Sequence, residues 1–370
     1  MQKNVWHIFS TLSLGGPQRR FADYLARSKA QNLTHHVYAM DGRYEALDLV
    51  PGQQPLFDGG RVVPKGNTFA ALKKCRQLLK THRPNLLITY NWGATEWALA
   101  NSFFPICPTL HIQDGFTDDE QNRELTGRRL MRMLSYRNCA KIIVPSRNLE
   151  KQVLTNWRVS EKRLTFIPNG IDTEHFNQPL DANFIEKYGV NNTGKTIGTV
   201  AALRTEKNIG RLIEAFSLVE DKHPDSQLVI VGDGVGMSAL KMLANRVCSK
   251  DRVIFTGTLS NPEKILPVFN VFALSSDTEQ MPLSVLEAMA AGLPVVSTDV
   301  GDIKQMVCEE NAPYIKAHSA KILAKNISAL LDEPEQAQNM GGKNKEKAHA
   351  TYDIVQMVNA YDHLFTAHAL

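Results

Sequence analysis

Short apolar runs with strand-like composition alternate with stretches of helical periodicity along the whole chain. That alternation restricts it to βαβ units and parallel sheets. The pattern predicts strands near 4–10, 35–40, 85–90, 108–112, 140–144 and 164–168, with helices near 17–30, 67–80, 94–102, 119–138 and 146–157. A second series predicts strands near 196–202, 227–232, 252–256, 271–275 and 294–298, with helices near 208–220, 236–247, 282–291, 319–332 and 335–349. At 370 residues the chain is too long for one typical core and suits two. The linker is expected around Pro168–Phe176, and the polar segment Asp181–Gly194 reads as the entry to the second sheet. The expected fold class is α/β: two Rossmann-like, doubly wound domains facing a cleft, where the carboxyl ends of both sheets would hold ligands.

Composition removes several alternatives. No stretch reaches the roughly 18 apolar residues that span a bilayer, and the first ten residues lack the apolar core and cleavage site of a signal peptide. The five cysteines (Cys75, Cys107, Cys139, Cys248 and Cys308) form no Cys-x-x-Cys pair, so neither a disulfide framework nor a zinc site is expected, and a reducing, cytoplasmic location fits. Net charge is +4, but residues 1–170 hold 24 Lys and Arg against 13 Asp and Glu, and residues 171–370 hold 18 against 25. The basic half should face something anionic. No nucleic-acid-binding signature is present, which leaves an anionic membrane surface as the better match.

The densest chemical signal is Ser275–Val296. A strand ends there, a loop carries Glu279, Pro282 suits the first turn of a helix, and Glu287 lies just over one turn in. The free N–H groups around residues 282–284 would form an anion site at the helix start, with Glu287 leaning back toward it. Glu279 and Glu287 could also be ordinary acidic residues favoured near a helix N-terminus. Arg204 and Lys207 immediately precede the helix near Asn208, at the positive end of its dipole, where cations are disfavoured. A bound diphosphate would resolve that conflict, and two cations plus a helix N-terminus could stabilise a leaving nucleotide without a metal. No Asp-x-Asp metal-binding pattern occurs.

These residues resemble the retaining GT-B glycosyltransferases of family 4, whose hallmark is two glutamates separated by seven residues. The resemblance runs through Leu14-Gly15-Gly16, Val144-Pro145-Ser146, Ile167–Asp172, Leu203–Asn208, Val231–Gly234 and Phe255-Thr256-Gly257, in the right order and spacing. It implies that Arg204 and Lys207 hold the donor diphosphate, that Glu279 contacts the transferred sugar and that Glu287 contacts the ribose. Backbone groups of Met281, Pro282, Leu283 and Ser284 would meet sugar and phosphate. Gly15 and Gly16 would let the first-domain loop approach the diphosphate, although a tight βα turn explains them equally well. A histidine at the end of the fourth strand, here His111, would lie by the reacting sugar. Ile112 departs from the family there, which makes Asp114 a competitor for polar work. Asn91 and Trp92 follow the strand Leu86–Tyr90 and would shape the acceptor pocket, unless Trp92 is simply core. Gln280-Met281 and Asp302 also depart from the family near the sugar pocket.

The implied organisation is an acceptor domain over 1–168, a donor domain over 169–351 and a final helix over 352–370. That helix would cross back to the first domain or, alternatively, pack on its own. The implied activity is that of a retaining, hexosyltransferase-type enzyme, independent of metals and cofactors. It would move sugar from a nucleotide-diphosphate sugar to a glycan or lipid-linked acceptor, in the synthesis of cell-surface polysaccharide or glycolipid. The alternatives are a sugar-nucleotide epimerase of the same architecture or a non-catalytic sugar-nucleotide binding subunit. In Leu125–Arg137, Leu130, Met133, Leu134 and Arg137 share one helix side, while Arg128, Arg129 and Arg132 gather on another. Those three arginines could rest on an anionic cytoplasmic leaflet, or the helix could be core-packed with a solvated basic face.

Overall fold

The structure, a computed structural model, describes the 370-residue chain except residues 1, 14, 51–52, 58–60, 65, 117–119, 121–123 and 193. The chain divides into two compact units, residues 1–169 with 355–370 and residues 170–354.

Unit 1 is built on β1 (Lys3–Phe9), β2 (Leu33–Ala39), β3 (Leu86–Tyr90), β4 (Thr109–Ile112), β5 (Lys141–Val144) and β6 (Leu164–Phe166). All pairings are parallel, in the order β2-β1-β3-β4-β5-β6. The crossovers carry α1 (Gly16–Arg27), α2 (Thr68–His82), α3 (Thr95–Ser102), α4 (Thr126–Tyr136) and α5 (Arg147–Trp157). Central strands such as β3 are buried along their whole length, which is why they read as unbroken apolar runs. The helices start at side-chain caps where the sequence offers them. Asn67 accepts from the Ala70 amide at 3.0 Å and Ser146 from the Leu149 amide at 3.1 Å.

Unit 2 repeats the plan with β7 (Thr196–Val200), β8 (Gln227–Val231), β9 (Val253–Gly257), β10 (Val271–Leu274), β11 (Val295–Thr298) and β12 (Ile315–Lys316), ordered β12-β11-β10-β7-β8-β9. Its helices are α6 (Ala182–Glu186), α7 (Ile209–Glu220), α8 (Met237–Val247), α9 (Leu283–Ala290), α10 (Ile303–Met306), α11 (Ala320–Asp332) and α12 (Pro334–Thr351). The last helix, α13 (Ile354–His368), packs in unit 1. Its Tyr361 and Phe365 rings lie 5.8 and 5.4 Å from Tyr24 of α1. The Asp362 carboxylate accepts from the Tyr24 hydroxyl at 2.9 Å, the Ser28 hydroxyl at 2.6 Å and the Lys29 amide at 2.9 Å.

The long elements fall within a few residues of their sequence-predicted positions. Three short ones, α6, α10 and β12, have no sequence counterpart, because two to five residues are too few to show a period. The predicted helix over 119–138 is observed from Thr126; residues 119 and 121–123, like Leu14 of the Leu14-Gly15-Gly16 motif and Thr193, lie outside the described residues. In each sheet the strand order reverses at one place, between β1 and β3 and between β7 and β10. Ligands of doubly wound sheets bind at the carboxyl ends of such strands.

Candidate active site

In unit 2 the carboxyl ends of β7 and β10 bring together residues that are about seventy positions apart. The turn after β7 (Thr205–Lys207) leads into α7, whose first amides are capped by Asn208 in a left-handed conformation, φ 43°. The loop after β10 is stitched to that turn. The Asp277 amide donates to the Glu206 carbonyl at 2.8 Å, and the Ser275 hydroxyl reaches the Lys207 and Asn208 carbonyls at 3.1 and 2.9 Å. Arg211 donates to the Ser275 carbonyl at 2.8 Å and pairs with Asp277 at 2.6 Å. These bonds place the Lys207 ammonium 2.6 Å from Oε1 of Glu279. The Ser276 hydroxyl donates to the same oxygen at 2.7 Å, and the Ser276 carbonyl is held by the Thr298 hydroxyl at 2.6 Å. Glu279 is therefore aimed by three residues, and its Oε2 has no hydrogen-bond partner among the described residues.

Gly301 supports the same loop from below. Its φ is +56°, and a Cβ there would fall on the carbonyl oxygens of Glu279 and Gln280, so only glycine fits. The Asp302 amide then donates to the Gln280 carbonyl at 2.9 Å. Met281 turns its side chain into the unit's core, at 6% exposure. Pro282 is not the first helical residue, as its sequence position suggests, but the N-cap, with ψ 128°. The amides of Leu283 and Ser284 that follow have no acceptor among the described residues, as the first turn of a helix requires. Glu287 is buried, one turn in. Arg204 is open to solvent and touches Glu206 at 3.1 Å. The Lys207 side chain is only 19% exposed and is not a free cation, since Glu279 holds it.

Unit 1 places the other candidates at the ends of β1, β3 and β4, and here most are occupied by each other. Asn91 has φ 52° and ψ −168°, an uncommon conformation for a residue other than glycine. Its side-chain oxygen accepts from the Asp114 amide at 2.7 Å, and its amide donates to the Asp114 carboxylate at 3.3 Å. Asp114 is ion-paired with Arg20 of α1, and the same guanidinium donates to Asn169 at 2.8 Å. Burial opposes the charge on Arg20, but Asp114 more than offsets it and raises the pKa. Asp114 is therefore not an idle polar group.

His111 lies inside unit 1. Its ring is fully buried and stacked on Tyr136 at 3.8 Å. Nδ1 meets the Thr89 hydroxyl at 2.9 Å and Nε2 meets Gln113 at 3.0 Å. Burial, with Arg132 nearby, lowers its pKa to about 3. Both nitrogens and one face are engaged, so the ring is a neutral packing and hydrogen-bonding group. Gly15 caps α1 in extended backbone, φ −169°, which any residue adopts, and Gly16 opens the helix. No left-handed turn demands either glycine.

The largest departure concerns α4. Arg132 is fully buried and makes a two-pronged ion pair with Glu120, at 2.6 and 3.0 Å, plus a bond to Glu124 at 2.6 Å. Its guanidinium lies 4.9 Å from the ring centre of Trp92, 5.1 Å from Phe116 and 5.4 Å from Trp157. Arg128 pairs with Glu120 at 3.1 Å and also faces Trp92. Of the three arginines expected on a membrane-facing side, only Arg129 is exposed. Trp92 thus lines an arginine cage and is half-buried.

Sequence inspection missed Arg20 and Glu120, and it set Arg132 on an outward face although it is buried. The dipole argument that singles out Arg204 and Lys207 applies equally to Arg19-Arg20 near the start of α1. Glu120 and Arg132 carried no such signal. Among the described residues no group of three or more His, Cys, Asp or Glu side chains could hold a metal ion, and no helix is long and apolar enough to cross a membrane.

Residues 14–175 match the family described as Glycosyltransferase Family 4, and residues 181–347 match glycosyl transferases group 1. An uncharacterized glycosyltransferase of Haemophilus influenzae is 29% identical over 76% of this chain and 76% of its own length. The alpha-monoglucosyldiacylglycerol synthase of Streptococcus pneumoniae is 32% identical over 52% of this chain and 45% of its own. The chain spans about half the length of several curated relatives it matches. The crystal structure of Anabaena HepE in complex with UDP and glucose is similar with a TM-score of 0.83 at 16% identity, covering 99% of this chain and 100% of that one. At that identity the likeness is one of fold, and the fold is GT-B. With one match over each unit, the chain combines a family 4-like amino-terminal domain with a group 1-like carboxyl-terminal domain.

Proposed function

We propose that the protein transfers a hexosyl unit from a nucleotide-diphosphate sugar to a glycan or lipid-linked acceptor, with retention of configuration and without a metal. The observation that carries this is the Lys207–Glu279 pair at the ends of β7 and β10, beside the free first amides of α9. An ammonium has three donors, and Glu279 takes one. The remaining two, the exposed Arg204 guanidinium and the Leu283 and Ser284 amides give the diphosphate cationic and dipolar partners. They also stabilise the charge that builds on the leaving nucleotide, the task a metal would otherwise perform. Glu279, held on Oε1, offers Oε2 to a sugar hydroxyl, and Glu287 serves the ribose. Unit 1 supplies the acceptor side through the loops after β1, β3 and β4. No carboxylate in unit 2 stands out as a covalent nucleophile, so departure and attack on one face of the sugar are favoured.

The HepE structure holds UDP and glucose, and the Streptococcus pneumoniae relative is named as acting in glycolipid synthesis. The first supports the donor class and the second a glycolipid product for this chain. Thermal-shift screening of nucleotide sugars in EDTA tests the proposal. The right donor should stabilise the protein by about 2.7 kcal/mol at a hundred times its dissociation constant. Lys207→Ala should then lower turnover about a hundred- to a thousandfold. Full activity in Lys207→Ala, or strict dependence on manganese or magnesium, would overturn it.

A further inference from the structure

The ammonium expected to hold the donor's diphosphate already holds a carboxylate. Lys207 Nζ lies 2.6 Å from Oε1 of Glu279, and the two side chains are 19% and 9% exposed, so salt and water screen the pair little. The Ser276 hydroxyl, 2.7 Å from the same oxygen, keeps the carboxylate in place, and Thr298 fixes Ser276 through its carbonyl. Among the described residues no second cation pairs with Glu279.

The donors of an ammonium point to the corners of a tetrahedron. Two acceptors on it, each about 2.7 Å away, therefore stand roughly 4.4 Å apart. A phosphate oxygen taken up by Lys207 comes that close to the Glu279 carboxylate, with one positive charge between two negative ones. In an intact nucleotide-diphosphate sugar this arrangement is tolerable. The outer phosphate carries a single charge, and beyond it lies a neutral sugar whose hydroxyls donate to a carboxylate. On transfer the bond between the anomeric carbon and the outer phosphate oxygen breaks, and its electron pair stays on that oxygen. The anomeric carbon bonds the acceptor oxygen, whose proton leaves to phosphate or water. The outer phosphate is now terminal, and its second ionisation at about pH 6 gives it further negative charge at neutral pH. Glu279 then faces an anion in place of hydroxyl donors.

We propose that Glu279 tells the loaded donor from the spent nucleotide: after transfer it competes with the free nucleoside diphosphate for Lys207 and repels its terminal phosphate, which speeds release. The inference deepens the proposed function and rests on its donor site. A residue that only binds can only lose affinity when removed. Glu279, by contrast, weakens one ligand, so its loss should tighten that ligand.

Calorimetric titration at pH 8 tests this with the diphosphates of uridine, guanosine, adenosine and thymidine as probes, each beside its monophosphate. Glu279→Gln keeps the size of the side chain and removes its charge. It should bind the preferred diphosphate about tenfold more tightly than the wild type does. The matching monophosphate, which has no outer phosphate, should bind both proteins alike. Glu279→Asp and Ser276→Ala keep the charge and should show no tightening. Thermal unfolding without ligand checks the fold of each variant; should Glu279→Gln unfold early, Glu279→Ser replaces it. Unchanged or weaker diphosphate binding in Glu279→Gln overturns the proposal and leaves the donor site standing. Equal tightening of the monophosphate also overturns it, because the effect would then not lie at the outer phosphate. If neither protein binds any of the four diphosphates, the donor site itself is wrong and the transferase reading falls with the inference.

Discussion

The two units carry the same six-stranded parallel sheet but treat charge near their strand ends in opposite ways. In unit 1 the charged and titratable groups are buried and partnered: Arg20 with Asp114, Arg132 with Glu120 and Glu124, and a neutral chain in which His7 meets Tyr90 at 3.0 Å and His35 at 2.9 Å. In unit 2 Arg204 stands at the rim, 58% exposed, while Lys207 and Glu279 hold each other, mostly buried, at the ends of β7 and β10. A charge excess counted from sequence therefore has two meanings. Several arginines of residues 1–170 are held by carboxylates inside unit 1 and are not available to a partner, so the basic excess lies on the other cations. Unit 2, acidic by count, keeps Arg204 open to solvent while Glu279 holds Lys207. Unit 1 should be fragile to charge changes and unit 2 tolerant of them.

The largest expected effect breaks or confirms this contrast within one helix. Arg132→Ala leaves Glu120 and Glu124 buried without their main partner and should destabilise unit 1 by about 3–5 kcal/mol. Arg129→Ala, three residues earlier and exposed, should change stability by no more than about 0.5 kcal/mol. All four tryptophans (Trp6, Trp92, Trp97 and Trp157) lie in unit 1, so tryptophan fluorescence in denaturant reports that unit alone. Equal midpoints for the two variants would mean that the buried cluster does not form.

Acid should separate the units next. Burial lowers the pKa of His7 well below its ordinary value, that of His35 to about 4 and that of His111 to about 3. Each is neutral in the fold and takes up a proton on unfolding once the pH drops below about 6.5. Their stabilising contribution is thus present above pH 6.5 and lost as pH falls toward the folded-state values, at about 1.4 kcal/mol per pH unit for each histidine. In unit 2 His223 is the one histidine with a resolved shift among the described residues, also downward, by burial and by Lys195. The tryptophan transition should therefore precede the loss of total helix signal as pH falls from 6.5 to 4. Coincident transitions at every pH would sink the contrast.

The smallest effect sharpens the assignment in unit 2. Ser276 touches Glu279 and no other candidate site residue, so it is a positioning residue. Ser276→Ala should weaken binding of the intact nucleotide sugar about tenfold, the value of one hydrogen bond to a carboxylate. Binding of the free nucleoside diphosphate should be unchanged. A calorimetric titration in which both ligands weaken together would show that the serine acts on the loop as a whole and not on Glu279.

Much of this molecule was legible in the sequence because it depends on local periodicity. Apolar runs such as Leu86–Tyr90 and Val271–Leu274 declare buried strands, and the 3.6-residue pattern with Ser or Asn caps declares the long helices. The frame from Ser275 to Gly292, with Glu279 and Glu287 at fixed offsets, located the unit 2 site. Sequence periodicity also revealed that α4 has two faces, one of leucines and one of arginines.

Only the tertiary structure decided which of those faces points inward. Apolar-in and charged-out is the default because a buried charge costs several kcal/mol unless it is paired. In α4 the default is reversed, because Glu120, Glu124, Trp92, Phe116 and Trp157 converge on Arg132 from three other segments, and no local pattern records that convergence. The same physics governs Lys207. Its position before a helix made it a candidate cation, but its partner stands 72 residues away and meets it only because β7 and β10 are neighbours in the sheet.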